Sequence, residues 1–268
     1  MNVRDDHELA RDLATEAGER LLELRARRAG DDPEAVRDAG DQGSHRFLAD
    51  AIARLRPSDQ VLSEEATREE RLDPRRLAAD RVWIIDPLDG TREFGEPGRT
   101  DWAVHVALWE RDPAASEGSP GEAPAGRLTA GAVALPAQGR TLSTAEPPEP
   151  PKLGDRRPRI AVSRTRPPEF VRRLAERVGA DLVPIGSAGA KIAAVLTGDA
   201  EAYVHAGGQY EWDSAAPVAV ALAAGVHASR IDGSPLTYNQ ADPSLPDILV
   251  SLPDLAPTLL AGIRDLHR

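Results

Sequence analysis

The 268 residues include no cysteine. That absence removes disulfides, zinc-thiolate sites, iron-sulfur clusters and a cysteine nucleophile, so any metal must sit among oxygens or histidines. Positive charge is also in deficit. The 33 Lys and Arg residues face 44 Asp and Glu, a net charge of -11, which argues against a nucleic-acid polymer as partner and leaves many carboxylates for a cation. No run of about 18 apolar residues occurs, and Met1 to Asp6 lacks the apolar core of a signal peptide. The expectation is a cytoplasmic protein with no membrane partner. No repeat at solenoid or propeller spacing is found. With 41% apolar and 29% charged residues, the chain has the composition of a folded enzyme rather than a disordered segment.

Leu9, Leu13, Ala17, Leu21 and Leu24 recur at helical spacing until Gly30, which predicts a long first helix. A second helix is expected from Ser44 as N-cap, burying Phe47, Leu48, Ala51, Ile52 and Leu55 and ending before Pro57, with Asp41 just ahead of the cap. Apolar runs at Arg81 to Ile85, Trp102 to Trp109, Leu128 to Leu135 and Arg159 to Ser163 read as strands. The middle pair has no helical pattern between its members, so antiparallel pairing is expected there.

Beyond Arg159 the pattern alternates: a helix from about Pro168 to Val178, a strand Asp181 to Ile185, a helix Ser187 to Leu196 and a strand Ala202 to His205. Asp213 to Gly225 is apolar almost all round, as a helix buried between layers would be. A strand Ile248 to Ser251 and a helix from about Pro257 close the chain. Two Pro- and Gly-rich loops, Asp112 to Gly126 and Glu146 to Pro158, interrupt this order, and the second is taken to separate an N-terminal α+β lobe, 1–150, from a C-terminal α/β lobe, 151–268. The mixture predicts α+β layering rather than a doubly wound parallel sheet.

Three acidic segments stand out. In Val82-Trp83-Ile84-Ile85-Asp86-Pro87-Leu88-Asp89-Gly90-Thr91 a strand runs into a sharp turn. Pro87 and Gly90 would fold it so that Asp86, Asp89 and the Leu88 carbonyl converge, the oxygen set that a hard cation takes. A plain solvated turn is the competing reading. Leu62-Ser63-Glu64-Glu65 leads from an apolar run into adjacent acids, or is only a charged helix start. In Glu211-Trp212-Asp213-Ser214-Ala215-Ala216-Pro217, Asp213 is either a site residue or simply an N-cap or first-turn acid of the helix that follows.

Taken in order, Glu64, Asp86 to Thr91 and Trp212 to Ala216 resemble the inositol-monophosphatase-like superfamily of Mg-dependent, lithium-sensitive phosphatases. Leu62 to Glu65, Thr91-Arg92-Glu93-Phe94 and Gly186-Ser187-Ala188-Gly189-Ala190-Lys191 are most similar to its 3'(2'),5'-bisphosphate nucleotidase (CysQ) group, of actinobacterial type. The resemblance implies a layered αβαβα sandwich of the inositol monophosphatase and fructose-1,6-bisphosphatase type, its two lobes forming one catalytic unit.

The resemblance also implies two or three Mg2+ ions on Glu64, Asp86, the Leu88 carbonyl, Asp89 and Asp213, with Asp41, Thr91 and Glu64 as catalytic residues. Its implied substrate contacts are Gly90, Thr91, Ser163, Arg164, Gly186, Ser187, Lys191 and Asp213. Ser163-Arg164-Thr165-Arg166 departs from the group by an Arg where it has His, and Tyr238 and Asn239 are further candidates for the pocket lining. The implied reaction is removal of the 3'-phosphate of 3'-phosphoadenosine 5'-phosphate, in the setting of sulfate assimilation. The expected partner is a small phosphate ester, with a homodimer allowed. Inositol monophosphate or fructose 1,6-bisphosphate hydrolysis on the same site is the alternative, and a metal-dependent nucleotide sensor the non-enzyme one. A haloacid-dehalogenase-type nucleophile is excluded by spacing: it needs aspartates one residue apart, and two residues separate Asp86 from Asp89.

Overall fold

The computed structural model describes residues 5–113, 125–165 and 167–266. The centre of the Asp112 to Gly126 loop and Arg166 lie outside the described residues. Helix α1 (Asp6–Arg27) buries the predicted Leu9, Leu13, Ala17 and Leu21. Helix α2 (Pro33–Leu55) corrects the expected start at Ser44: Asp32 caps it by accepting from the Ala35 N–H, and Pro33 opens it, where the missing proline N–H costs nothing. Asp41 and Ser44 therefore lie inside α2. The Ser44 hydroxyl is spent on a distant turn, donating to the Pro87 carbonyl at 2.7 Å.

The first sheet is built from β1 (Gln60–Ser63), then, after the short helices α3 (Arg68–Arg71) and α4 (Pro74–Ala78), from β2 (Arg81–Asp89). Helix α5 (Thr91–Gly95) follows, then β3 (Ala103–Arg111), β4 (Gly126–Leu135) and β5 (Arg140–Ser143). Its order is β1-β2-β3-β4-β5; β1 and β2 are parallel and the other pairs antiparallel. The second sheet uses β6 (Arg159–Ser163), β7 (Asp181–Ile185), β8 (Ala202–Tyr210), β9 (His227–Ser229) and β10 (Ser244–Ser251) in the order β7-β6-β8-β10-β9. Its helices are α6 (Glu169–Val178), α7 (Ala188–Thr197), α8 (Ala215–Ala223) and α9 (Ala256–Leu266).

The period-two alternation of strand side chains sets the layers. On β2, Trp83 and Ile85 pack with Leu13, Leu21 and Leu48 of α1 and α2. Val82 and Ile84 point the other way, into a cluster with Ile192 of α7, Val218 of α8 and Tyr203 and Val250 of the second sheet. The far face of that sheet, Ile160, Val162, Val204 and Leu249, packs on Leu174 of α6 and Leu259 of α9. The result is α, β, α, β, α: an α+β sandwich in which the all-apolar α8 lies between layers. Among the described residues, no helix is long and apolar enough to cross a membrane.

One ion cluster fastens the linker before β6 to the second sheet. Glu201, 3% exposed, accepts from Arg156 Nη2 (2.8 Å), Arg159 Nη2 (2.9 Å) and the Arg159 N–H (2.6 Å). Burial pushes its carboxyl up, but the Arg159 and Arg156 hydrogen bonds outweigh it and hold the group below its ordinary 4.5. A depressed carboxyl stabilises the fold above the unfolded value and loses that contribution as pH falls through the folded one. Glu201→Gln should cost about 2 kcal/mol at pH 7, and denaturant melts of the two proteins should converge as pH falls below 4.5. A pH-independent gap would refute the ionic origin.

Candidate functional site

Strand β2 ends in a bulge. Asp86 stands opposite His105 and Asp89 opposite Ala103, so one extra residue bends the chain. The Leu88 N–H turns back to Asp86 Oδ1 at 3.0 Å, the Pro87 carbonyl is pinned by Ser44, and Gly90 takes the left-handed φ of 85° from which α5 starts. Thr91 Oγ1 then lies 3.0 Å from the Leu88 carbonyl and 3.3 Å from Asp41 Oδ1.

Asp86, Asp89 and Asp213 each bring a carboxylate oxygen within 4.8 Å of the others. Asp213 is not the helix cap that one reading of the sequence allowed: Ser214 occupies the cap position of α8, and Asp213 Oδ2 instead accepts from the Tyr210 N–H at 2.6 Å. Crowding shows in the protonation of the group. Burial and the Glu64 charge push Asp86 well up. Burial and Asp89 raise Asp213 to about 6. Glu64 is exposed as a residue, but its carboxyl shares a hydrogen bond with Asp86, and desolvation there together with Asp213 raises it to about 7. Burial and Glu65 raise Asp41 to about 7. Oxygen donors that repel one another this strongly are a fit for a hard divalent cation, whose charge would offset the repulsion.

Asp89 differs from its neighbours. Burial would raise it, but His105 and the α7 terminus hold it at about 2. Its carboxylate accepts from Ser187 Oγ (2.5 Å) and from the Gly189 (2.6 Å) and Ala188 (3.1 Å) N–H groups, at the positive end of the helix dipole. His105 Nε2 lies 3.2 Å from Asp89 Oδ2, and its Nδ1 bonds the Trp212 carbonyl at 2.9 Å. Gly189 is required here, since a Cβ would fall 2.0 Å from His105 Nε2.

Several substrate-side candidates have partners within the chain. The Gly186 N–H donates to Asp101 Oδ2 at 2.6 Å, and Ser187 and the two amides after it serve Asp89, so this helix start already holds carboxylates. Lys191, one of the implied substrate contacts, is 6% exposed and donates to the Ser187 carbonyl at 2.6 Å. Arg164 spans to Glu93 and Glu96, both at 2.9 Å. Ser163 ends β6 beside Ile185. Tyr238 and Asn239 are buried; the Tyr238 hydroxyl bonds Ser214 Oγ at 3.1 Å. Sequence reasoning missed His105, whose one signal was a polar residue inside an apolar strand, and Glu93 and Asp101.

The sequence profile of the inositol monophosphatase family matches residues 3–266. The 3'-phosphoadenosine 5'-phosphate phosphatase of Mycobacterium leprae is 52% identical over 266 residues, covering 97% of this chain and 94% of that protein. The 3'(2'),5'-bisphosphate nucleotidase CysQ of Escherichia coli K12 is 30% identical over 233 residues, 80% of this chain and 84% of its own. The crystal structure of inositol monophosphatase II from Staphylococcus aureus shares the fold, with a TM-score of 0.70 at 23% identity over 96% of this chain and 95% of that one.

Proposed function

The chain belongs to the inositol monophosphatase family, a metal-dependent one, and from that premise we propose that it is a Mg-dependent phosphatase releasing the 3'-phosphate of 3'-phosphoadenosine 5'-phosphate. The products are AMP and inorganic phosphate. The observation that carries this reading is the convergence of Asp86, Asp89 and Asp213, taken with the M. leprae relative of that name. Glu64, Asp86, the Leu88 carbonyl, Asp89 and Asp213 would hold two or three Mg2+ ions. Bound there, Mg2+ supplies a lowered water pKa, neutralised phosphoryl oxygens and a stabilised leaving alkoxide.

The protein's own part is positioning. Thr91 has one hydroxyl proton for two acceptors, Leu88 O and Asp41, so it keeps a lone pair with which to orient the attacking water, and Asp41 is placed to take the proton passed through that hydroxyl. The water oxygen bonds to phosphorus, the bond from phosphorus to the 3'-oxygen breaks, and the departing oxygen takes up a proton. His105 and the α7 terminus fix Asp89 while this happens. The two sheets act as one catalytic unit, since Asp213 and Asp89 are contributed by different ones. Arg164, paired with Glu93 and Glu96, would exchange those partners for a second phosphate of the substrate.

On this reading 3'-phosphoadenosine 5'-phosphate should exceed inositol 1-phosphate in kcat/KM by about tenfold or more, the worth of one charged hydrogen bond at 1.5 kcal/mol or above. Side-by-side phosphate-release kinetics in one buffer check it. Equal efficiencies would refute the nucleotidase reading, and no release from any phosphate ester would leave a sensor.

A further inference from the structure

A buried polar cluster joins the helices of the first sheet to a loop of the second. Arg76 of α4 is 1% exposed. Its Nη2 donates to the carbonyls of Arg71 (2.7 Å) and Gln240 (3.1 Å), and its Nη1 to Asn239 Oδ1 at 2.6 Å. Glu211, also 1% exposed, accepts the N–H groups of Asn239 (2.6 Å) and Gln240 (2.7 Å). Residues 239 and 240 are thus gripped between a guanidinium and a carboxyl group. Asn239 sits at φ 61°, a left-handed conformation uncommon outside glycine, and its Nδ2 has no partner among the described residues. A strained backbone and an unmet buried donor are costs that a structure keeps where the surroundings over-determine them.

What the cluster connects gives it meaning. Arg71 and Arg76 belong to the segment that leaves Glu64, and Glu211 stands in the turn that carries Asp213. Arg71 Cζ lies 5.5 Å over the Trp212 ring; Trp212 stacks on Tyr210 at 4.8 Å, and the Tyr210 N–H holds Asp213. Glu64 and Asp213 therefore reach the centre from opposite sheets and share one brace. Mg2+ demands near-ideal octahedral geometry with short bonds, so the spacing of carboxylates from separate elements governs how well the ion is held.

We propose that Arg76, Asn239 and Glu211 are positioning residues that set the separation of Glu64 and Asp213 and thereby the affinity of the centre for its divalent cation. The inference rests on the Mg2+ reading above.

Two variants test it. Glu211→Gln offers one acceptor where two amides need one each. Asn239→Gly adopts the positive φ without strain, keeps the N–H given to Glu211, and removes the Oδ1 that Arg76 Nη1 uses together with the unpartnered Nδ2, leaving the two carbonyl acceptors of Arg76 in place, so it is the variant that preserves the fold. The full chain is titrated with MgCl2 alone while its melting temperature is followed, and KM for 3'-phosphoadenosine 5'-phosphate is measured at saturating Mg2+. The midpoint of the Mg2+-induced rise should move to about tenfold higher concentration in both variants, with KM changed less than about twofold. A midpoint in Asn239→Gly within about twofold of wild type, whatever its melting temperature in EDTA, would reduce the cluster to a structural role and overturn the proposal. A wild-type protein whose melting temperature ignores Mg2+ would instead overturn the Mg2+ reading.

Discussion

Asp86→Asn should lower phosphate release about a thousandfold, roughly 4 kcal/mol of transition-state stabilisation, and yet leave the metal-free protein as stable as wild type or more stable. Asp86 is 1% exposed, and burial and the charges of Glu64, Asp89 and Asp213 all disfavour its ionised form. Asparagine keeps the one acceptor the turn uses, the oxygen facing the Leu88 N–H, and removes the charge that Glu64, Asp89 and Asp213 repel. A neutral amide oxygen is a weaker ligand for a hard cation than the charged carboxylate it replaces, so the gain in the metal-free fold comes with loss of activity, the trade expected where a site stores repulsion for a ligand. Phosphate release at saturating Mg2+ and melting curves in EDTA and in Mg2+ measure both halves. Activity within about tenfold of wild type, or an undiminished Mg2+-induced rise in melting temperature, would remove Asp86 from the centre.

How much of this was legible depends on how local each signal is. The convergence of Asp86 and Asp89 could be read because the two carboxylates and the Pro and Gly that fold them are contiguous. Layering was legible in outline because α8 is apolar on every face and the strands are apolar runs, while the αβαβα order came with the resemblance. The start of α2 was not: Asp32 with Pro33 and Ser44 are both sound capping signals, and only the placement of the Pro87 carbonyl next to Ser44 decides between them. The burial of Lys191 was not legible either, because nothing local shows its ammonium folding back on Ser187. His105 meets Asp89 through the β2–β3 pairing and the bulge in it, a long-range register that no window of sequence contains. The same holds for Arg76 and Asn239, whose 2.6 Å bond crosses from one sheet's helices to the other sheet's loop.

Asp89→Asn should lose activity to the same extent as Asp86→Asn and move stability the other way. Where Asp86 is crowded by acids, Asp89 is surrounded by donors: Ser187 Oγ, the Gly189 and Ala188 N–H groups and His105 Nε2. Asparagine has a single acceptor oxygen. Directed at Ser187 and Gly189, it turns its NH2 toward the Ala188 N–H and leaves that donor buried without a partner; the reverse orientation leaves more. The substitution also removes the anion from the positive end of α7 and from beside His105, which the Asp89 charge and the Trp212 carbonyl hold up in protonation against the pull of burial. Losing one partner of a buried, charge-assisted set costs about 3 kcal/mol. At roughly 2 to 4 °C per kcal/mol for a chain of this size, the variant should melt about 6 to 12 °C below wild type in EDTA. Two isosteric substitutions three residues apart on one turn, equal in lost turnover, should therefore separate in melting temperature, because one carboxylate is kept for a cation and the other also anchors a helix. If both variants melt with wild type, or both fall together, Asp89 does not fasten α7 to the end of β2.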